Sequence, residues 1–168
     1  VAREASKAEI IRRYYNARCQ QIQGNAEDEQ VYKLELLMNQ AEITVEDRKV
    51  TGLAMKRAEE TGAPAAAIEL PNGKCLTGKT SALLGASSAL LLNALKELAG
   101  IDDEVELISP TIIGPIQELK VNFLGNANPR LHTDEVLVAL SICAATDERA
   151  KRAMEQLQNL KGSEVHSS

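Results

Sequence analysis

The residues with the clearest chemical potential run from Gly73 to Thr80. Gly73-Lys74-Cys75-Leu76-Thr77-Gly78-Lys79-Thr80 matches GxxxxGK[ST], the spacing of a phosphate-binding loop. In such a loop backbone N–H groups cradle phosphates, while Lys79 would reach the outer phosphates and Thr80 would help hold magnesium. Three features weigh against that chemistry. Asn72-Gly73 is a strong hairpin turn, so Lys74 to Thr77 reads as a return strand rather than a wrapped loop. Leu76 is an awkward side chain inside a phosphate cradle. No later strand ends in an acidic residue for magnesium, because Glu104 to Ile108 runs into Ser109. A P-loop NTPase is therefore the least favoured reading. A weaker version places Gly78, Lys79, Thr80 and Ser81 at the start of a long helix, where free N–H groups, the helix dipole and a lysine could hold a small anion. A capped helix start with Lys79 in solvent is the competing and preferred account.

A second cluster, Asn128 to Glu135, lies where a loop runs into a helix. His132 could serve as acid or base with Asp134 or Glu135 orienting it, and Arg130 could contact an anion. The structural alternative, again preferred, has Thr133 capping the helix while Asp134 and Glu135 complement its dipole. The candidate ligand-binding residues are thus Lys79, Thr80, Ser81, Arg130 and His132, with His132 and Asp134 as weak catalytic candidates. No metal is expected: the histidines are His132 and His166, and Cys19, Cys75 and Cys143 match no zinc spacing. A nucleotide or phosphate is the one ligand class in view, and no cofactor is predicted. Arg12, Arg13 and Arg18 beside Tyr14 and Tyr15 read as a solvated face partly neutralised by Glu4 and Glu9. Cys143 reads as packing.

Composition narrows the classes further. The chain has 168 residues, 44% of them hydrophobic, so a folded domain is expected rather than disorder. Aromatics are 2%, which leaves Leu, Ile, Val and Ala to build the core and offers no stacking platform for single-stranded nucleic acid. A net charge of -5 argues against nucleic-acid backbones as partners in the same way. The longest apolar stretch, Ala82 to Ala99, is interrupted by Gly85, Ser87, Ser88, Asn93 and Lys96, so no membrane span is expected. An odd number of cysteines without a CxxC pair points to a reducing cytoplasm.

The elements that must position these residues divide at Ala63-Pro64. Residues 1–62 read as a helical subdomain of three helices: one to about Gln23, one capped by Asn25 that buries Val31, Leu34, Leu37 and Met38, and one after Thr44 and Asp47 that carries Val50, Leu53 and Ala54. Residues 63–168 read as a layered α/β unit, an α/β (α+β) fold overall. Its expected order is a hairpin from Ala65 to Thr77, a helix from about Thr80 to Leu98, a strand from Glu104 to Ser109, and a helix from Ser109-Pro110 that Gly114-Pro115 kinks or restarts. A helix from Thr133 to Ala145 and a last helix capped by Asp147 complete it. The chain opens inside a helical pattern and closes on a strand just begun at Ser163, so an excerpt cut before its final strands is expected.

The stretches EASKAEIIRRYYNARCQ, VYKLELLMNQAEITVEDR, EETGAPAAAIELPNGKCLTGKTSALLGASSALLLNALKELAGI, ELISPTIIGPIQELK and NPRLHTDEVLVALSICAAT resemble the bacterial family called domain of unknown function 1846. The resemblance covers nearly the whole chain. It implies an internal and C-terminal portion of a longer protein, a homo-oligomeric cytoplasmic state, and a separate N-terminal region with a glycine-rich segment suggestive of phosphate binding. It supplies no reaction and no catalytic residues. A fainter likeness is to cytidine-deaminase-like proteins, in the order hairpin, helix, strand, helix from Ala65. Thr80-Ser81-Ala82 and Pro110-Thr111-Ile112 stand where zinc ligands and the catalytic glutamate would be, so deaminase chemistry is not implied. Two functions remain in view: binding of a small phosphorylated or nucleotide-like ligand, and a non-catalytic oligomerisation or scaffold module.

Overall fold

The computed structural model describes residues 2–24 and 28–168, and the fold is α+β. Two compact units are present, Val1–Gly52 and Leu53–Ser168. The first holds α1 (Ala2–Ile22) and α2 (Asp28–Gln40), with a 3-10 turn at Val45–Asp47 after them. Asp28 and Glu29 sit in the first turn of α2, where the dipole favours them. The expected Asn25 cap lies outside the described residues. Val31 and Met38 of α2 are buried as expected, whereas Leu37 is exposed. The Thr44 backbone N–H donates to Asp47 Oδ2 at 2.7 Å, so this pair closes the 3-10 turn rather than opening the third helix. That helix, α3 (Lys49–Thr61), carries the boundary between the units and ends at Gly62, whose φ of 63° is left-handed.

The second unit begins with the hairpin. Strands β1 (Ala65–Glu69) and β2 (Cys75–Lys79) pair antiparallel around the Pro71-Asn72-Gly73 turn, and Gly73 takes a φ of 82°. β3 (Glu164–Ser167) pairs antiparallel with the other edge of β1, giving the order β2-β1-β3. Helix α4 (Ala86–Ala99) is apolar on more than one side and is buried accordingly. Ala86, Leu90 and Ala94 pack against Ala66, Ile68 and Leu70 of the sheet and its turn. Leu92 and Leu95 enter a separate, larger cluster with Leu131, Val136, Leu140, Ala150 and Ala153. Those last residues belong to α6 (Thr133–Ala144), α7 (Glu148–Glu155) and the chain just before α6. The sheet and the helices thus lie on different faces of α4. Before α6 comes α5 (Pro110–Glu118), and α7 passes into a 3-10 turn at Gln156–Leu160.

Several local signals act as the sequence reads. Ser109 caps α5 by accepting the Thr111 N–H at 3.3 Å, with Pro110 in the first turn. Asp147 caps α7 by accepting the Arg149 N–H at 2.8 Å, a bond that holds its carboxyl below the usual carboxylate range. Cys143 is buried in the helical cluster. Arg12 and Arg13 both pair with Glu9 on α1, the latter at 2.9 Å. Among the described residues no helix is long and apolar enough to cross a membrane.

Three expectations are corrected. The strand expected over Glu104–Ser109 is a loop that starts with an Asx turn, the Glu104 N–H donating to Asp102 Oδ1 at 3.0 Å. Its apolar residues mark burial rather than pairing: Leu107 and Ile108 enter the helical core, and the segment joins none of the three strands. Without that strand the deaminase-like order is not seen. The long helix starts at Ala86 rather than Thr80, because β2 continues through Gly78 and Lys79 and a turn at Ser81–Leu84 comes next. Pro115 neither breaks nor restarts its helix; α5 runs through it and loosens only afterwards, into a π-helical turn at Leu119–Phe123 in which the Leu124 N–H reaches Leu119 O.

Gly78 is where the sheet meets α4 most closely. A Cβ there would stand 2.6 Å from Ala86 O and 2.7 Å from Leu90 Cα, and closer still to Leu90 N. Those are backbone atoms of a buried helix and cannot swing aside. Gly78→Ala is expected to destabilise the fold by about 1–3 kcal/mol, the cost of overpacking a dense interior. Urea unfolding of the variant beside the wild type checks this; a loss below about 0.5 kcal/mol would mean that strand and helix can separate freely.

Candidate functional site

The phosphate-loop match does not form a loop. Gly78 pairs with Ala66 and Lys79 with Ala65 in the β1–β2 ladder, so their backbone is extended and engaged. Lys79 is exposed at the strand end. Thr80 turns its hydroxyl to Pro64 O at 2.7 Å. Ser81 serves the next turn, its Oγ accepting the N–H groups of Leu83 and Leu84 at 3.2 and 3.0 Å.

Just beyond that turn, two distant stretches of the chain meet and build a site. Leu84 and Leu131 form an isolated parallel bridge. The Gly85 N–H donates to Leu131 O at 3.3 Å and the Leu131 N–H donates to Leu83 O at 2.9 Å. Ser88, buried in the first turn of α4, donates its hydroxyl to the same Leu131 O at 2.8 Å. The two segments are thereby clamped side by side and in the same direction. Each enters a helix at once, α4 after Gly85 and α6 after His132. Both N-termini therefore open on one cavity of about 320 Å³. Thr80, Ser87, His132, Thr133 and Ser167 contribute polar side chains to its wall, and Gly85 and Ser88 line it as well.

The first-turn N–H groups of a helix have no partner within the helix. Gly85 has no side chain with which to cap α4. At α6 the capping residue is His132, not Thr133, and Glu135 Oε2 accepts the His132 backbone N–H at 2.8 Å. Glu135 therefore meets His132 in a capping box, its carboxylate on the His132 main chain. This is the helix-start role preferred from sequence, with His132 rather than Thr133 at the cap, and not a carboxylate–imidazole acid–base pair. Asp134 is exposed and does not line the cavity.

The α6 start is held in place by a buried lysine. Lys120, in the π-helical turn, is 4% exposed. Its Nζ donates to Glu135 Oε2 at 2.8 Å and to Arg130 O at 2.6 Å. Arg130 in turn donates from Nε to Ser81 O at 2.7 Å, bridging the two segments from outside. Burial by itself would raise the Glu135 pKa. The hydrogen bonds from Lys120 and from the His132 N–H, with the lysine charge, outweigh it and hold the carboxyl below its ordinary value.

Of the sequence-predicted ligand residues, Thr80 and His132 line the cavity, while Lys79, Ser81 and Arg130 do not. Ser81 and Arg130 instead bond to each other as structural supports. Sequence reasoning did not single out Gly85, Ser87, Ser88 and Ser167 as site residues. The run Gly85-Ala86-Ser87-Ser88 carries the one signal that could have found them: a glycine and small polar residues ahead of a leucine-rich helix. Among the described residues no three His, Cys, Asp or Glu side chains gather to hold a metal.

Removing the Lys120 charge leaves Glu135 and Arg130 O without their buried donor. Lys120→Met is expected to cost about 1–3 kcal/mol in chemical denaturation. The native Glu135 carboxyl is depressed relative to the unfolded chain, so the unfolded state binds more protons as acid is added. The stability this group contributes is complete above the ordinary value of 4.5 and is lost as pH falls through the lower native value. Glu135→Gln should flatten the fall in stability below pH 4.5; a variant with the wild-type acid slope would contradict the assignment.

Comparison with known proteins fits this architecture to a family. A family model described as the C-terminal part of domain of unknown function DUF1846 matches residues 46–168. The model of its N-terminal part matches residues 1–42. A UPF0371 protein of Corynebacterium efficiens is 52% identical over 168 residues, covering 100% of this chain and 34% of the relative. One of Streptococcus uberis is 53% identical over the same share of each. One of Corynebacterium glutamicum is 52% identical over 165 residues, 98% of this chain and 33% of the relative. The chain thus spans about a third of the length of the curated relatives it matches. Neither the family description nor the relatives' names state an activity. With its two family models together covering almost every residue, the chain belongs to the DUF1846 family.

Proposed function

We propose that this chain contributes a binding site for a small phosphorylated ligand, seated in the cavity between the starts of α4 and α6. The observation that carries the reading is the convergence of two helix N-termini on one cavity with several hydroxyl side chains in its wall. Each terminus presents first-turn N–H groups that have no partner within its helix, and the positive end of a dipole, which together favour an anion. The hydroxyls of Ser87, Thr133 and Ser167 can donate to phosphate oxygens, and the His132 imidazole can add a donor at the rim; the Thr80 hydroxyl is already spent on Pro64 O. A volume of about 320 Å³ suits a small molecule rather than a polymer. The site needs no broad basic surface, which agrees with a net charge of -5. Cys19, Cys75 and Cys143 are free thiols, which supports a reducing cytoplasm as its compartment.

Ser87→Asp separates this reading from a purely structural role. A carboxylate in the first turn of α4 complements the dipole and should leave stability unchanged or raise it by about 0.3–1 kcal/mol. The same carboxylate would repel a bound anion. Isothermal titration with inorganic phosphate and a panel of sugar phosphates and nucleotides should give saturable binding that Ser87→Asp weakens at least tenfold. Absence of heat across the panel, or binding untouched by the substitution, would overturn the proposal in favour of a scaffold module.

A further inference from the structure

We infer that α2 is an interior helix of a larger domain, and that its exposed flanks are covered by the remainder of the N-terminal DUF1846 domain, the segment of the relatives that lies outside these 168 residues. The helix has too many apolar sides for the partners it has here. Val31 and Met38 are buried within one face. On one flank Tyr32 is 61% and Leu36 is 42% exposed, one turn apart; on another Leu37 is 44% exposed beside the half-buried Leu34. At about 100° per residue these flanks diverge on either side of the buried face, so no single neighbouring helix can cover both. Among the described residues this unit buries few apolar side chains, Ile11, Ala17, Val31, Met38, Ile43 and Val50, fewer than a free-standing domain of this length needs.

The occupant is indicated by the relatives' extent. The N-terminal family model matches only residues 1–42, which span α1 and α2, and the relatives are about three times as long as the part they share with this chain. Sequence covalently joined to α1 faces these flanks at an effective concentration in the millimolar range, which a second copy or a separate partner does not match at ordinary protein levels.

Thiol reactivity in the full-length protein tests the inference. Leu36→Cys and Leu37→Cys, made singly, should react with a water-soluble maleimide at least tenfold more slowly than Lys151→Cys, an exposed position on α7, when sites are resolved by mass spectrometry. Hydrogen exchange on the unsubstituted full-length protein gives a readout that does not depend on the variants folding. Amides of Val31 to Met38 should persist as long as those of Leu90 to Leu95 in α4. Labelling as fast as at Lys151→Cys, exchange much faster than in α4, or protection that disappears on dilution and so reports a second copy, would each overturn it.

Discussion

The architecture turns on a two-residue parallel pairing. Leu84 and Leu131 meet backbone to backbone, reinforced by the buried Ser88 hydroxyl on Leu131 O, and each is succeeded within two residues by a helix. Neither leucine could stray without exposing the core: Leu131 is fully buried among Leu92, Val136 and Leu140, and Leu84 packs against the same cluster. The pairing fixes direction as well as position, because parallel segments send their helices off the same way. The cavity between the helix starts is a consequence of that geometry rather than a separate construction.

Around this clamp the polar groups divide into supports and walls. Lys120, Glu135, Arg130 and Ser81 hold segments together: Lys120 and Glu135 form an ion pair, and Arg130 reaches across to Ser81 O. The groups left facing the cavity are hydroxyls, one imidazole and the first turns of two helices. An anion would be recognised there through oriented dipoles instead of a cation. This is the form of recognition that helix N-termini provide without a lysine or arginine.

Much of the fold could be read from the chain because its signals are local. Asn72-Gly73 makes its turn, Ser109-Pro110 and Asp147 start their helices, and Gly100 ends α4 in a left-handed conformation. The failures are non-local. Glu104–Ser109 alternates like a strand, yet whether it pairs depends on sheet edges elsewhere. Gly78 resembles a phosphate-loop glycine in sequence, but its lack of a side chain serves the close approach of α4. The candidate site was legible in part. Thr80 and His132 stand in its wall, whereas the start of α4 lies six residues beyond its expected place because the strand ran on and Ser81 formed a turn. No periodicity reveals that Leu131 comes to Leu84, or that a lysine is buried to hold Glu135.

The central claim is that both helix starts form one anion site. An amide-resolved NMR titration with inorganic phosphate tests it most directly. The account predicts saturable shifts of the Ser87 and Ser88 amides in α4 and of the Thr133 and Asp134 amides in α6, all tracking a single dissociation constant. Shifts confined to one helix, or none that saturate, would contradict it.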